Sequence, residues 1–226
     1  MPRPRRITRE VLLEAAMQIL DAEGLEALTL RRLSREVDAA AAMVYRFFAD
    51  KDELVDALAD RVFAQGGLSP AGSPPHAVGA GWADQLRLVA HGIRSALLAH
   101  PTLVPAAVRR PPRQEATLRG LDAGLGLLLT AGLDPESAAR GYQAVLFYTL
   151  GHAALEVPFA AAPDGGAKNQ AETHAVLAAL PAENHPHIAA TIDHLYGPDL
   201  TAQFDHGLEL LISGLQAQCR TVGTVT

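Results

Sequence analysis

The segment from Thr8 to about Phe63 constrains this chain more than any other, because helix signals recur in it at short, regular intervals. Thr8 precedes an amphipathic stretch in which Leu12, Ala15, Ala16, Ile19 and Leu20 follow helical spacing, and Gly24 stands where that helix should stop. A short helix over 30–37 capped by Thr29, a turn over 38–40 and a second short helix over 41–48 come next. Asp50 and Glu53 have capping-box spacing and open a longer helix that continues to about Gln65. Two short helices held at a fixed angle by a supporting helix are the usual way for a small domain to present a helix to the DNA major groove.

Composition narrows the rest. With 226 residues, 49% of them apolar, the chain can bury a sizeable core; only 5% are aromatic and β-branched runs are rare, so an all-α protein is expected. The net charge of −6 argues against a general polyanion binder. Charge is nevertheless concentrated at the start, where Arg3, Arg5, Arg6 and Arg9 occur with no acidic residue among the first nine positions. Such an arm reads as a phosphate or minor-groove contact, with Arg5 and Arg6 as its leading residues. Cys219 is the single cysteine, so no intrachain disulfide forms and a reducing compartment is expected. No apolar run reaches bilayer length and no signal-peptide pattern opens the chain, which predicts a soluble, cytoplasmic protein.

Residues 66–81 are rich in Gly, Pro and Ser and read as a linker between a domain over 1–65 and a second over 82–226. Beyond it, helices are expected over 82–100, 113–131 and from Asp134 to about Val157, with short irregular helix between Pro101 and Pro105 and a break at Pro111 and Pro112. A loop over 158–170, weaker helix over 172–180, and helices over 186–196 and from Asp199 to about Cys219 complete the pattern.

Ala15, Ala16, Gly24, Thr29, Leu33, Val37, Val44, Tyr45, Phe47, Phe48, Lys51 and Leu54 together form a spread pattern that resembles the DNA-binding domain of the tetracycline-repressor (TetR) family of bacterial transcription regulators. The remainder is similar to the ligand-binding domain of the tetracycline repressors, through Trp82 to Leu98, Thr149 to Gly151, and Phe204 to Leu215. The resemblance implies an N-terminal three-helix helix-turn-helix domain and a C-terminal helical domain for ligand binding and dimerisation. It further implies a homodimer that holds a palindromic double-stranded operator and releases it when a small-molecule effector binds. A single short recognition helix reads few base pairs, so two at a fixed spacing are required. In the family the dimer interface is a four-helix bundle, which here assigns Phe204, Leu208, Leu211 and Leu215 on the last helix to dimerisation.

By the same resemblance, Tyr45 and Lys51 meet backbone phosphates, and Thr29 and Arg31 at the start of the second helix are further phosphate candidates. The recognition helix departs from the common pattern: Asp38 takes the turn position usually held by Gly, and Ala39 to Ala42 offer no hydrogen-bonding side chain. Base readout then rests on thymine-methyl contacts from Ala41, Ala42 or Met43 and on Arg46, with an A·T-tolerant operator read partly through shape. The rival reading is a helical dimeric adaptor or ligand-binding protein with degraded DNA binding.

In the register of the tetracycline repressors, Gly67 and Ala107 replace histidines, Val89 an asparagine, Arg110 a threonine and Gly124 a glutamine. Without the metal-liganding imidazole a drug–magnesium chelate has no anchor, so neither tetracycline nor a metal or other cofactor is expected. Leu86, Val89 and Ile93, with Ala107, Leu128 and Leu146, describe instead a roomy apolar pocket thinned by Gly124 and Gly126, with Tyr142 and Gln143 to orient a bulky, largely apolar effector. His91, His100, His152, His185 and His187 lack a convincing metal-binding pattern, and no nucleophile elbow, phosphate loop or zinc-protease motif suggests an enzyme.

Overall fold

The structure, a computed structural model, describes residues 7–68, 81–109, 115–160, 162–195 and 199–222, and every regular element among them is helical. Arg3, Arg5, Arg6, Arg110, Pro111, Pro112 and Tyr196 lie outside the described residues. No helix among those described is long and apolar enough to cross a membrane.

Local chemistry fixes most helix ends. Helix α1 (Arg9–Glu23) begins where the Thr8 hydroxyl accepts the Val11 amide, 3.3 Å, and ends at Gly24, whose φ of +83° closes the helix with a bond to the Leu20 carbonyl. Thr29 caps α2 (Leu30–Glu36) by accepting from Arg32 at 3.0 Å. Asp38 makes the tight turn at φ +49°, the only non-glycine positive φ among the described residues. That conformation is tolerable for Asp because its short polar side chain can bond locally. The recognition helix α3 (Ala41–Tyr45) is shorter than expected: Phe47 and Phe48 both turn back to the Val44 carbonyl, and the chain must straighten at Asp50 to cap α4 (Lys51–Phe63). Asp50 accepts the Glu53 amide and Glu53 accepts the Ala49 amide, each at 2.8 Å.

The expected linker starts later than its composition suggests. Ala64–Leu68 extend α4 as a π-helical turn, and Gly66 sits directly on the backbone of the next helix, α5 (Trp82–Ala99). A Cβ on Gly92 would lie 2.2 Å from the Gly66 carbonyl oxygen, so only glycine permits this approach. Residues 69–80 of the linker lie outside the described residues. A 3₁₀ turn (Pro101–Leu103) leads into α6 (Val104–Arg109), followed by α7 (Glu115–Thr130). The Asp134 carboxylate accepts the Glu136 and Ser137 amides at 3.0 Å and starts α8 (Pro135–Ala160), which passes through Pro158 in its last turn instead of stopping near Val157. The following loop is correspondingly short. Asp164 accepts the amides of Gly166 and Lys168, and α9 (Ala167–Ala178) begins well before the expected Glu172. Helix α10 (Pro186–Thr191) and a 3₁₀ turn precede α11 (Leu200–Val222), where Asp199 accepts the Ala202 amide at 2.8 Å.

Two apolar clusters hold these helices. One joins α1, α2 and α4 to the second half of α5 and to α6, through Leu20, Phe48, Leu58, Leu97, Leu103 and Val104. The other fills the space between the first half of α5, α7, α8 and α11. Phe204, Leu208 and Leu215, expected at a subunit interface, belong to that second cluster: Phe204 is 0% and Leu208 1% exposed within the protomer. Their stripe meets Leu86, Leu128, Tyr142 and Val145 of the same chain because α11 lies along α5 and α8. Leu211, between the stripe and the outer face, is half-buried. Phe204→Ala should therefore lower folding free energy by about 3–5 kcal/mol, the usual cost of emptying a buried phenylalanine site, seen as a lower urea midpoint.

Candidate nucleic-acid interface and effector pocket

The first three helices expose a compact polar face. Val44 is fully buried and pins α3 to the small core, which leaves Ala42, Met43, Tyr45 and Arg46 exposed and Ala41 half-covered. The Tyr45 side chain is 50% exposed and its hydroxyl bonds to none of the described residues. Thr29 is exposed at the start of α2, and its hydroxyl is already engaged in the cap. The arginines of α2 divide sharply. Arg32 is gripped by Glu23 of α1 at 2.7 Å and Glu36 at 2.6 Å, so it fixes the angle between the two helices. Arg31 and Arg35, four residues apart on the exposed side, have no carboxylate partner among the described residues. Sequence reasoning does not single out Arg35, although its spacing from Arg31 is a usable signal.

Lys51 is differently placed from expectation. Its ammonium donates to the Leu25 carbonyl at 2.7 Å, so it ties the start of α4 to the loop between α1 and α2. Only its remaining N–H groups can reach a phosphate. Farther along α4, Arg61 pairs with Glu10 at 2.9 Å and Glu14 at 2.5 Å, which makes α4 and α1 one rigid unit.

The apolar space between α5 and α8 is small. Leu86, Val89, Ala90, Ile93, Tyr142, Val145, Leu146 and Thr149 surround a void of about 10 Å³, room for one water at most. No roomy space is left here among the described residues, and Gly124 is part of the reason. A Cβ there would stand 2.4 Å from Cε2 of Tyr142, so the bare glycine lets the tyrosine ring lie against α7. Burial pushes the Tyr142 phenol up to about 12, so it stays protonated and keeps its O–H to donate. Thr149 donates its hydroxyl to the Val145 carbonyl, 2.8 Å. Three expected lining residues are elsewhere: Gln143 faces solvent on the far side of α8, Ala107 packs in the cluster around α4, and Leu128 is buried in the α11 cluster.

Beyond Thr149 the inner face of α8 turns polar; from sequence Glu156 reads either as a group near a ligand or as a solvated helix-end charge, and Arg94, on an otherwise apolar stripe of α5, is not singled out. Arg94, 7% exposed, makes a two-bond clasp with Glu156 at 2.8 and 2.5 Å, donates to Thr201 at 3.0 Å, and lies over the Phe204 ring. His152 packs on Phe204 and Tyr148, with Nδ1 3.3 Å from Glu156. His91 meets Asp205 of α11 at 3.0 Å, away from the void. Among the described residues no cluster of His, Cys, Asp or Glu could hold a metal.

Burial is the main cause that lowers the His152 imidazole, with Arg94 adding and Glu156 opposing. The fold favours the neutral ring, while the unfolded chain titrates near the ordinary value of about 6.5. Stability from this site is complete above that pH and is lost as pH falls through the lower, folded value. His152→Gln should flatten this part of the pH dependence, measured as a smaller drop in urea midpoint between about pH 7.5 and pH 5 than in the parent.

Two family models match the chain. One, described as bacterial regulatory proteins of the tetR family, covers residues 12–58, and the tetracyclin repressor-like C-terminal domain covers residues 74–219. The transcriptional repressor DrrR1 of Streptomyces coeruleorubidus is 28% identical over 223 residues, spanning 95% of this chain and 79% of that protein. Apo ActR from Streptomyces coelicolor superposes with a TM-score of 0.82 at 28% identity, covering 98% of this chain and 99% of ActR. ActR in complex with actinorhodin gives a TM-score of 0.81, again at 28% identity, over 95% and 99% of the two chains. The exposed α2–α3 face, the closed apolar space behind α4 and these matches have one reading: the chain belongs to the tetracycline-repressor family and is a ligand-responsive, DNA-binding transcription regulator.

Proposed function

We propose that this regulator is a cytoplasmic repressor, without an enzymatic step, that grips a palindromic operator as a homodimer and leaves it when a bulky, mostly apolar compound enters the α5–α7–α8 space. The N-terminal unit to about residue 65 reads DNA, and residues from 82 onward bind the effector and pair the subunits. The observation that carries this reading is the unpaired α2–α3 face. Arg31, Arg35, Tyr45 and Arg46 all stand exposed without a partner among the described residues, on a chain that is acidic overall. Arg31 and Arg35 supply phosphate contacts, joined by Arg5 and Arg6 of the arm, while Ala41, Ala42 and Met43 present methyl groups to thymines. The adaptor reading finds no such support.

For the effector, the lining offers apolar surface and the Tyr142 phenol as donor. That favours a compound with an acceptor oxygen on a largely apolar frame, in keeping with a relative, ActR, that has been solved with actinorhodin. Entry requires the void to widen, and so a shift of α5 or α8, with Tyr142 carrying that shift to α7. For the dimer, the support is a second apolar face. Phe147 and Leu155 on α8 and Leu210 on α11 are 64%, 74% and 62% exposed, and Leu211 and Gly214 border the groove between the two helices. Large apolar side chains left bare on two neighbouring helices fit burial against a second copy.

A mobility shift on the DNA flanking the gene, with competitor present and salt varied, tests the repressor. A discrete, salt-sensitive complex is expected; absence of any specific complex at low salt counts against it. Arg31→Ala or Arg35→Ala should lower the slope of log K against log salt by about 0.9 for each phosphate no longer neutralised, while Arg32→Ala should act mainly through stability. Phe147→Asp with Leu210→Asp should give a folded monomer by light scattering and weaken operator binding by at least about a hundredfold, since one half-site alone remains.

A further inference from the structure

Helix α4 has two jobs in this molecule. Its first turn is bonded to the α1–α2 loop through Lys51, and Arg61 clamps it to α1, so α4 and the recognition helix move together. Its last turns lie against α5, α6 and α7. Most of that contact is apolar, through Leu54, Leu58 and Val62, and apolar attraction has no preferred direction, so such surfaces can slide over one another. A directional bond transmits displacement better. One such bond occurs where the Asp60 carboxylate accepts the backbone amide of Thr117 at 2.9 Å and also takes the Thr117 hydroxyl.

Thr117 is the third residue of α7, in the turn whose amides have no partner within the helix. Asp60 thus caps α7 from another element, across the boundary between the DNA-reading helices and the effector domain. Burial pushes the Asp60 carboxyl up, and the Thr117 amide bond, Arg9 and Arg119 oppose that shift, so the charge is held by α7 as well as by its own domain. Gly124 lies two helical turns further along the same face of α7, about 10 Å away. There the Tyr142 ring rests against the helix and closes the effector void. One face of α7 therefore touches the Tyr142 ring that lines the void at one point and the DNA-reading unit at another.

We infer that the Asp60–Thr117 cap is the coupling contact of this regulator: displacement of α7 by a filled pocket pulls α4 through Asp60 and misplaces the recognition helix. The inference rests on the regulator reading above. Asp60 is a positioning residue, acting on DNA through α4. The ligand itself need not be known to test it, because a side chain at position 124 displaces α7 from Tyr142, the same contact through which a filled void would press on α7. A Cβ alone meets the ring at 2.4 Å.

The experiment is a double-mutant cycle in the full-length protein, read as affinity for an operator selected from random DNA. Gly124→Leu in the parent should weaken binding by about 10- to 100-fold, within the usual range of coupling between sites. In the Asp60→Ala background the same change should cost less than about threefold, the sign of lost coupling in such a cycle. Asp60→Asn keeps an acceptor oxygen for Thr117 and should keep the coupling. Circular dichroism and light scattering check each variant, and Gly124→Ala serves if Gly124→Leu does not fold. A cap that is merely structural lowers the unfolding midpoint and leaves the cycle additive within about twofold. That result overturns the inference, as does full operator affinity of the position-124 variants in the parent. A parent that binds no selected DNA removes the regulator reading itself, and shows this before any variant is made.

Discussion

Burial of the inner face of α4 is the interaction on which the rest of the molecule depends. Leu54, Leu58 and Val62 are each 0–1% exposed and lie in one cluster with Leu12 and Leu20 on one side and Leu97, Leu103 and Val104 on the other. Neither group closes without α4. The three-helix DNA-reading unit is too small to bury much surface alone, and its stability depends on the larger domain. That shared core holds α4 against the larger domain, and the Asp60–Thr117 bond adds a direction to the contact. The π-helical turn at Ala64–Leu68 and the backbone contact of Gly66 with Gly92 anchor the far end of the same helix on α5.

Where apolar burial ends, the charged groups are placed with partners at one point. The Arg94–Glu156 clasp takes two charges out of water, a cost that attraction between them offsets only with good geometry and further bonds. Thr201 and the face of Phe204 provide those, and they bring α11 into the arrangement. The clasp therefore orders three helices at one point. The void itself, lined by apolar side chains with only Tyr142 and Thr149 polar, has no comparable ion pair.

Helix ends are legible in the sequence because their causes are local. Thr8, Gly24, Thr29, Asp50, Asp134 and Asp199 each act on amides or carbonyls within a few residues, and each stands where its residue type implies. The exposed α2–α3 residues are legible for the same reason. What depends on a third helix is not. The stripe of Phe204, Leu208 and Leu215 has the same spacing whether it meets its own chain or another, and here α5 and α8 cover it. Gly124 signals empty space, yet a residue from the next helix, Tyr142, occupies it. Gly66 looks like the beginning of a linker because composition does not show that a second glycine, Gly92, lies opposite.

Arg31 and Arg35 of α2, without a carboxylate partner among the described residues, have a consequence for how the molecule arrives at DNA. With a net charge of −6, most of the surface repels a phosphate backbone, and Arg32 is neutralised by its two glutamates. Arg31, Arg35 and Arg46 then give the protein a pronounced charge asymmetry, with the positive end at the reading face. A body of that kind is turned by the field of the duplex before contact, so unproductive collisions are rejected at a distance of about a Debye length, roughly 8–10 Å. The acidic surface that looks unsuited to a DNA-binding protein thus selects the orientation in which it lands.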